Sequence, residues 1–134
     1  MKELAVRLHR NDDLAKSIAR ICKDYNTCVI LSGVGCVFEA RFRLADGKSV
    51  FESKEEYEIV SLMGTVSCGN PHIHISLSDK EGKTIGGHLL DGCLVNTTCE
   101  LVIGVLEEYE STRPFDKDTG WDEIEFKKVW FWLT

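Results

Sequence analysis

The chain has four histidines, and three of them, His72, His74 and His88, fall within the nineteen residues HIHISLSDKEGKTIGGHLL at 72–90. Residues two apart on a strand point to one face, so His72 and His74 present both imidazoles to the same side. Whether His88 joins them depends on register. If Ser78 pairs with Lys83 across a four-residue loop, the numbers of opposed residues sum to 161, and His74 meets Gly87 while His88 points away. One further residue, as a bulge or in a five-residue loop, raises the sum to 162 and sets His88 directly opposite His74. Gly86-Gly87 lies just before His88, and glycine is the residue a bulge favours, so the pair is a candidate for turning His88 onto the shared face.

Three imidazoles on one face of two strands make a facial ligand set. Neutral histidine nitrogens suit zinc and other first-row divalent ions. An open fourth position would hold a water that the metal acidifies. His72, His74 and His88 are therefore the candidate metal ligands, with zinc the expected ion. The same spacing also fits histidines that only hydrogen-bond in the core or at a subunit contact.

The elements that must position these residues are mostly strands. Leu4, Val6 and Leu8 alternate with polar residues, which predicts a first strand. Asn11 or Asp12 is placed to cap a helix whose Leu14, Ala15, Ile18, Ala19, Ile21 and Cys22 recur at helical spacing, ending near Asn26. CVILSGVG at 28–35 reads as a buried strand running into a glycine turn. VFEARFRL at 37–44 reads as a half-exposed strand ending at the hairpin signal A-D-G. YEIVSLMGTVS at 57–67, HIHISLS at 72–78, KTIGGHLL at 83–90 and TTCELVIGVLEEY at 97–109 complete the set. Hairpin-length links imply antiparallel pairing. The tail holds all three tryptophans, and its closing VWFWL is apolar enough to pack on the core, add an edge strand or enter a subunit interface.

Length and composition bound the rest. A chain of 134 residues, 43% hydrophobic and 28% charged, fits one soluble globular domain with a core of its own. Residues 1–134 are read as that single domain, with 123–134 a C-terminal apolar extension. No apolar run reaches eighteen residues, which argues against a membrane span, and charges interrupt the N-terminus too often for a signal peptide, so a cytoplasmic location is expected. The six cysteines form no C-x-x-C pair and are read as reduced core hydrophobes. A net charge of −6 makes a poor general binder of nucleic acid, whose phosphates need lysine and arginine, although a local basic patch stays open.

Other chemistries find little support. G-V-G at 33–35 lacks the third glycine of a dinucleotide fingerprint, so Gly33 and Gly35 are read as turn or close-packing glycines. No G-x-S-x-G elbow is present. Cys68 lies four residues before His72, but nothing in the sequence supplies an orienting partner or oxyanion donors for a Cys–His pair. Arg41 and Arg43 are either an anion-binding pair or an exposed strand face.

The ordered series G-V-G, E-I-V-S-L-M-G, N-P-H-I-H, G-G-H-L-L-D-G, T-T-C-E-L and R-P-F-D-K-D-T-G resembles the "plants and prokaryotes conserved" (PPC) domain, also described as a PD1-like DNA-binding domain, over about residues 3 to 122. The resemblance implies an α/β (α+β) fold, a mostly antiparallel sheet flanked by helices and assembled as a homotrimer. It also implies that His72, His74 and His88 cluster near a subunit boundary, where prokaryotic members can carry a metal. Glu58 matches the acidic position before S-L-x-G. It would orient a histidine or act as a general base, unless it is simply a solvent-facing strand residue. Glu100 matches a T-x-E position and is read as a buried or interface acceptor. Plant members carry an R-G-R-P-type AT-hook that reads the minor groove. This chain has none, which weakens DNA as a partner.

The expectation is a homotrimeric, DNA-associated or regulatory protein with a three-histidine divalent metal site. One alternative is an enzyme in which metal-activated water attacks a small polar substrate, assisted by Glu58. A plain assembly module whose histidines bind nothing is the other.

Overall fold

The computed structural model describes residues 1–129. Strand β1 (Lys2–His9) buries Leu8 and half-buries Leu4 and Val6, as the alternation predicts. Helix α1 (Leu14–Cys22) buries Leu14, Ala15, Ile18 and Cys22 in the core. Its cap is Asp13, whose side chain accepts the Lys16 N–H, rather than Asn11 or Asp12. Asn11 instead takes a left-handed φ of 74° in the preceding turn, and Asp12 accepts the His9 N–H. The helix stops well short of Asn26, because Asn26 is drawn into contacts with two other segments: its carbonyl accepts the Cys68 N–H, and its Oδ1 accepts the Ser111 N–H.

The segments 28–35 and 37–44 form one strand, β2 (Thr27–Arg43). No turn occurs at Gly33-Val34-Gly35. A Cβ on Gly35 would sit 2.1 Å from the Thr98 carbonyl oxygen, so this glycine serves close packing against the neighbouring strand. The A-D-G hairpin forms as expected, with Gly47 at φ 74° and Asp46 accepting the Lys48 and Ser49 N–H groups. It leads into β3 (Val50–Ser53), which pairs back on β2.

Next come β4 (Tyr57–Ser67), β5 (Asn70–Ser78), β6 (Thr84–Leu89) and β7 (Leu94–Val105). The strand order is β1-β7-β2-β4-β5-β6, and all the pairings are antiparallel. Phe42 and Arg43 at the end of β2 also pair with Leu89 and His88 of β6, so β2, β4, β5 and β6 close into a ring. Inside lie Phe42, Leu62, Val66, Ile73, Ile75, Leu77 and Leu89, all buried. One helix is found among the described residues, where flanking helices were expected.

Beyond β7 the chain forms a hairpin arm. Strands β8 (Tyr109–Thr112) and β9 (Phe115–Asp116) run out, and β10 (Trp121–Asp122) and β11 (Glu125–Lys128) return in one register. The arm is rooted by Ser111, which is buried and whose hydroxyl lies 2.7 Å from both Thr27 Oγ1 and Ser67 Oγ. Of the expected apolar extension at 123–134, Glu125–Lys128 form an exposed return strand, and the closing residues from Trp130 onward lie outside the described residues. No helix among the described residues is long and apolar enough to cross a membrane.

Candidate metal centre

Strand β5 alternates Ile73, Ile75 and Leu77 inward with His72, His74 and Ser76 outward. The connection to β6 decides the third ligand. Ser78 pairs with Thr84, which leaves a five-residue loop, 79–83, and sets His74 opposite His88. Asp79 holds that loop: its Oδ1 accepts the Glu81 and Lys83 N–H groups, and the Gly82 N–H reaches its carbonyl. The pairing runs without a bulge at Gly86-Gly87, and the five-residue loop is what accompanies the register that places His88 on the shared face. The two glycines have another role. A Cβ on Gly86 would meet Ile75 O at 2.2 Å, and one on Gly87 would meet Arg43 O at 2.3 Å, so both permit the close strand approach that shuts the ring.

The three imidazoles stand 5.3 to 5.8 Å apart between ring centroids, and one nitrogen from each lies within 4.8 Å of the others. Zinc–nitrogen bonds of about 2.0–2.1 Å would need donors about 3.3 Å apart in a tetrahedral site. Inward side-chain rotations on the order of 1 Å close that gap. The surroundings of His72 and His88 favour the neutral imidazole. Burial pushes the His88 imidazole down to about 4, helped by Arg43, His72, His74 and Arg113. His72 is lowered by burial first, then by Arg113 and His74, against an opposing pull from Glu123. Neutral imidazoles keep a lone pair for a metal. His88 Nδ1 and Arg43 Nε are buried with no hydrogen-bond partner, and both belong to this site. No cysteine, aspartate or glutamate among the described residues joins the three histidines, so these described residues offer a metal three ligands.

Three further residues frame the cluster. Arg43 pairs across from His88. Arg113 reaches back from the arm, its Nη2 3.4 Å from Thr65 Oγ1, and Thr65 is the cross-strand partner of His72. Trp121 stacks over the Arg43 guanidinium at 5.0 Å and rests on Gly47, where an added Cβ would sit 3.5 Å from the indole. Arg41 and Arg43, a pair in the sequence, have different surroundings. Arg41 bonds Glu52 at 2.9 Å, while Arg43 has no carboxylate within salt-bridge distance among the described residues. Arg113 and Trp121 were not singled out from sequence as site residues. The D-T-G turn between F-D and W-D was the available sign of a hairpin that could carry them to the sheet.

Glu58 lies elsewhere. It is exposed and pairs with Ser78, four residues along β5 from His74, or about 13 Å at strand rise. It borders a separate cleft with Cys36, Lys80 and Asn96. Glu100 is exposed on β7 rather than buried. Cys68 sits at a left-handed turn position, φ 49°, with its sulfur near Asn26 Nδ2 and the Ser111 carbonyl oxygen.

The sequence profile of the Plants and Prokaryotes Conserved (PCC) domain matches residues 1–107. Among curated proteins, the Bifunctional protein GlmU of Synechococcus sp. (strain JA-3-3Ab) is 35% identical over 126 residues, covering 92% of this chain and 20% of that protein. The chain thus spans about a fifth of the length of the curated relatives it matches. Among solved structures, a hypothetical protein from Salmonella enterica superposes with a TM-score of 0.91 at 27% identity, covering 95% of this chain and 94% of that one. A metal-containing protein from Archaeoglobus fulgidus superposes with a TM-score of 0.75 at 29% identity, covering 98% and 94%.

Proposed function

This chain belongs to the Plants and Prokaryotes Conserved domain family, and we propose that it acts as a metal-centred, ligand-binding member in which His72, His74 and His88 hold one divalent transition ion, with zinc the best match. The observation that carries this reading is the convergence of three imidazole nitrogens within 4.8 Å on the outer face of the sheet. The metal-containing relative from Archaeoglobus fulgidus supports it. A divalent ion bound there supplies Lewis acidity and lowers the pKa of a water at an open position.

A set of three histidine ligands also fits a second reading, metal-dependent catalysis on a small polar substrate at a fourth, open position. Glu58, on β4 opposite Ser78, is too far from the histidines to assist within one protomer, so any part it plays in that chemistry comes from a second copy. Self-association as a homotrimer fits the exposed apolar side chains Val34, Val60 and Met63 on the strands beside the site. Binding to DNA fits less well, because a chain of net charge −6 offers little to a phosphate backbone.

Elemental analysis of untagged protein, beside the His72→Ala, His74→Ala, His88→Ala triple variant, tests the centre. About one transition metal per chain, lost in the variant, is expected. Absence of metal after incubation with zinc would overturn the reading. Light scattering tests the trimer, and duplex retention at physiological salt tests DNA.

A further inference from the structure

The arm that follows β7 lies beyond the residues matched by the family profile, yet it brings two side chains to the histidine cluster. Arg113 and Trp121 share one cleft, of about 290 Å³, with Arg43, His72 and His88. On the other side of Trp121 a second cleft, of about 690 Å³, is floored by His74, Ser76, Gly86 and His88 and walled by Arg43 and Leu44. Arg43, His88 and Trp121 border both.

Charge decides what such a site takes. A divalent ion on three neutral imidazoles keeps its whole charge, and the two guanidinium groups add two more. The carboxylates bordering the two clefts are Asp46 in the larger and Asp122 and Glu123 in the smaller, which leave a net positive charge around the metal. Neither arginine has a carboxylate within salt-bridge distance among the described residues, and Arg43 Nε is buried without any partner. Guanidinium donors free of carboxylates, beside an electrophilic ion, suit the oxygens of a phosphate or carboxylate, which guanidinium binds through charge-assisted hydrogen bonds.

Building on the metal centre proposed above, we infer that Arg43 and the arm residue Arg113 form an oxyanion subsite beside it. The ligand is a small molecule whose phosphate or carboxylate head lies between them, with its body along Trp121 in the larger cleft. The two head groups share the chemistry of a planar or tetrahedral oxyanion.

The test is calorimetric titration with inorganic phosphate, phenyl phosphate and benzoate. It uses the full chain both zinc-loaded and freed of excess metal, and chelator-treated, with metal content measured on each sample. Arg43→Gln and Arg113→Gln are each expected to weaken phosphate binding at least tenfold while metal content stays at the unsubstituted level. Arg113→Lys, which keeps the charge but not the fork, should fall between and guards against a folding defect. Trp121→Ala should erase any preference for phenyl phosphate over inorganic phosphate. Tighter benzoate than phosphate binding, still dependent on both arginines, would assign the head as a carboxylate. If metal is present but phosphate and benzoate affinity ignores both arginines, the subsite is overturned and the metal centre stands. If no metal is retained but phosphate still binds through the arginines, the metal reading fails and the subsite stands. Absence of anion binding in both forms overturns the subsite.

Discussion

His74 and His88 are direct cross-strand partners, in a register that leaves a loop of five residues rather than four between β5 and β6. Two forces fix that register. On the core side, Leu89 is buried and Ile85 half-buried, and a one-residue slip would turn both outward, at about 1.5–3 kcal/mol for Leu89 and less for Ile85. On the loop side, removing one residue costs about 1–3 kcal/mol in strain. Core burial outweighs loop strain, so deleting Lys80 should leave His88 in place. The expected result is a stability loss of about 1–3 kcal/mol in urea with metal stoichiometry unchanged. A folded deletion variant that has lost its metal would show that the loop alone sets the register.

Behind the histidines, Gly64 is a packing requirement. A Cβ there would sit 2.1 Å from the His72 carbonyl oxygen and 2.7 Å from Ile73 Cα, both backbone atoms that cannot swing aside. Gly64→Ala should destabilise the chain by about 3 kcal/mol or more and weaken metal binding, since β5 must shift under His72. Gly82→Ala makes a useful contrast. It meets nothing within 4 Å but sits at φ 82°, so a loss of about 1 kcal/mol with normal metal binding is expected. Equal losses from the two variants in denaturant titrations would contradict this assignment.

The cysteines give a pH-dependent signature. Burial pushes the Cys22 thiol up to about 12, and Cys93 and Cys99 up to about 11. Each is raised above its value in the unfolded chain, so the unfolded state gives up protons first. The stability they contribute is whole below about pH 9, the ordinary thiol value, and declines as pH climbs toward 11–12. A thiol reagent at pH 8 should label exposed Cys68 quickly and half-buried Cys36 more slowly, with the other four reacting only on unfolding. Mass spectrometry of a time course reads the order directly. Early labelling of Cys22 or Cys99 would contradict it.

Period-two alternation placed β1 and the second half of β2 in the sequence, because a buried face writes its pattern into the residues. It also placed His72 and His74 together. His88 stayed ambiguous because register is a property of two strands and their loop, and a four- or five-residue reading of D-K-E-G is equally open before the core is assembled. β2 was broken in two at Gly33-Val34-Gly35, since a glycine needed for close approach to Thr98 looks the same in sequence as a glycine in a turn. For Arg113 and Trp121 the D-T-G turn marks a hairpin but not where it docks. They come to the site through an arm whose root is three buried hydroxyls and one amide, a small polar knot with no periodicity to reveal it.

That knot yields the last prediction. Asn26 Oδ1 accepts both the Ser111 N–H and the Thr27 hydroxyl at 2.7 Å, so one side-chain oxygen joins the start of β2 to the root of the arm. Asn26→Ala would leave the buried Ser111 N–H without an acceptor, at about 1–3 kcal/mol. The Ser111 hydroxyl would still reach Thr27 and Ser67, so the arm should loosen rather than detach. Amides of residues 109–128 should then exchange faster, while those of β5 and β6 keep their protection. Phosphate affinity should fall although neither arginine has been changed, because Arg113 reaches Thr65 only when the arm is seated. Metal content should hold, since all three histidines sit on strands that the arm does not pair with. Faster exchange across the whole sheet, or loss of metal along with the anion, would mean that Asn26 supports the domain as a whole and is not a positioning residue for the site.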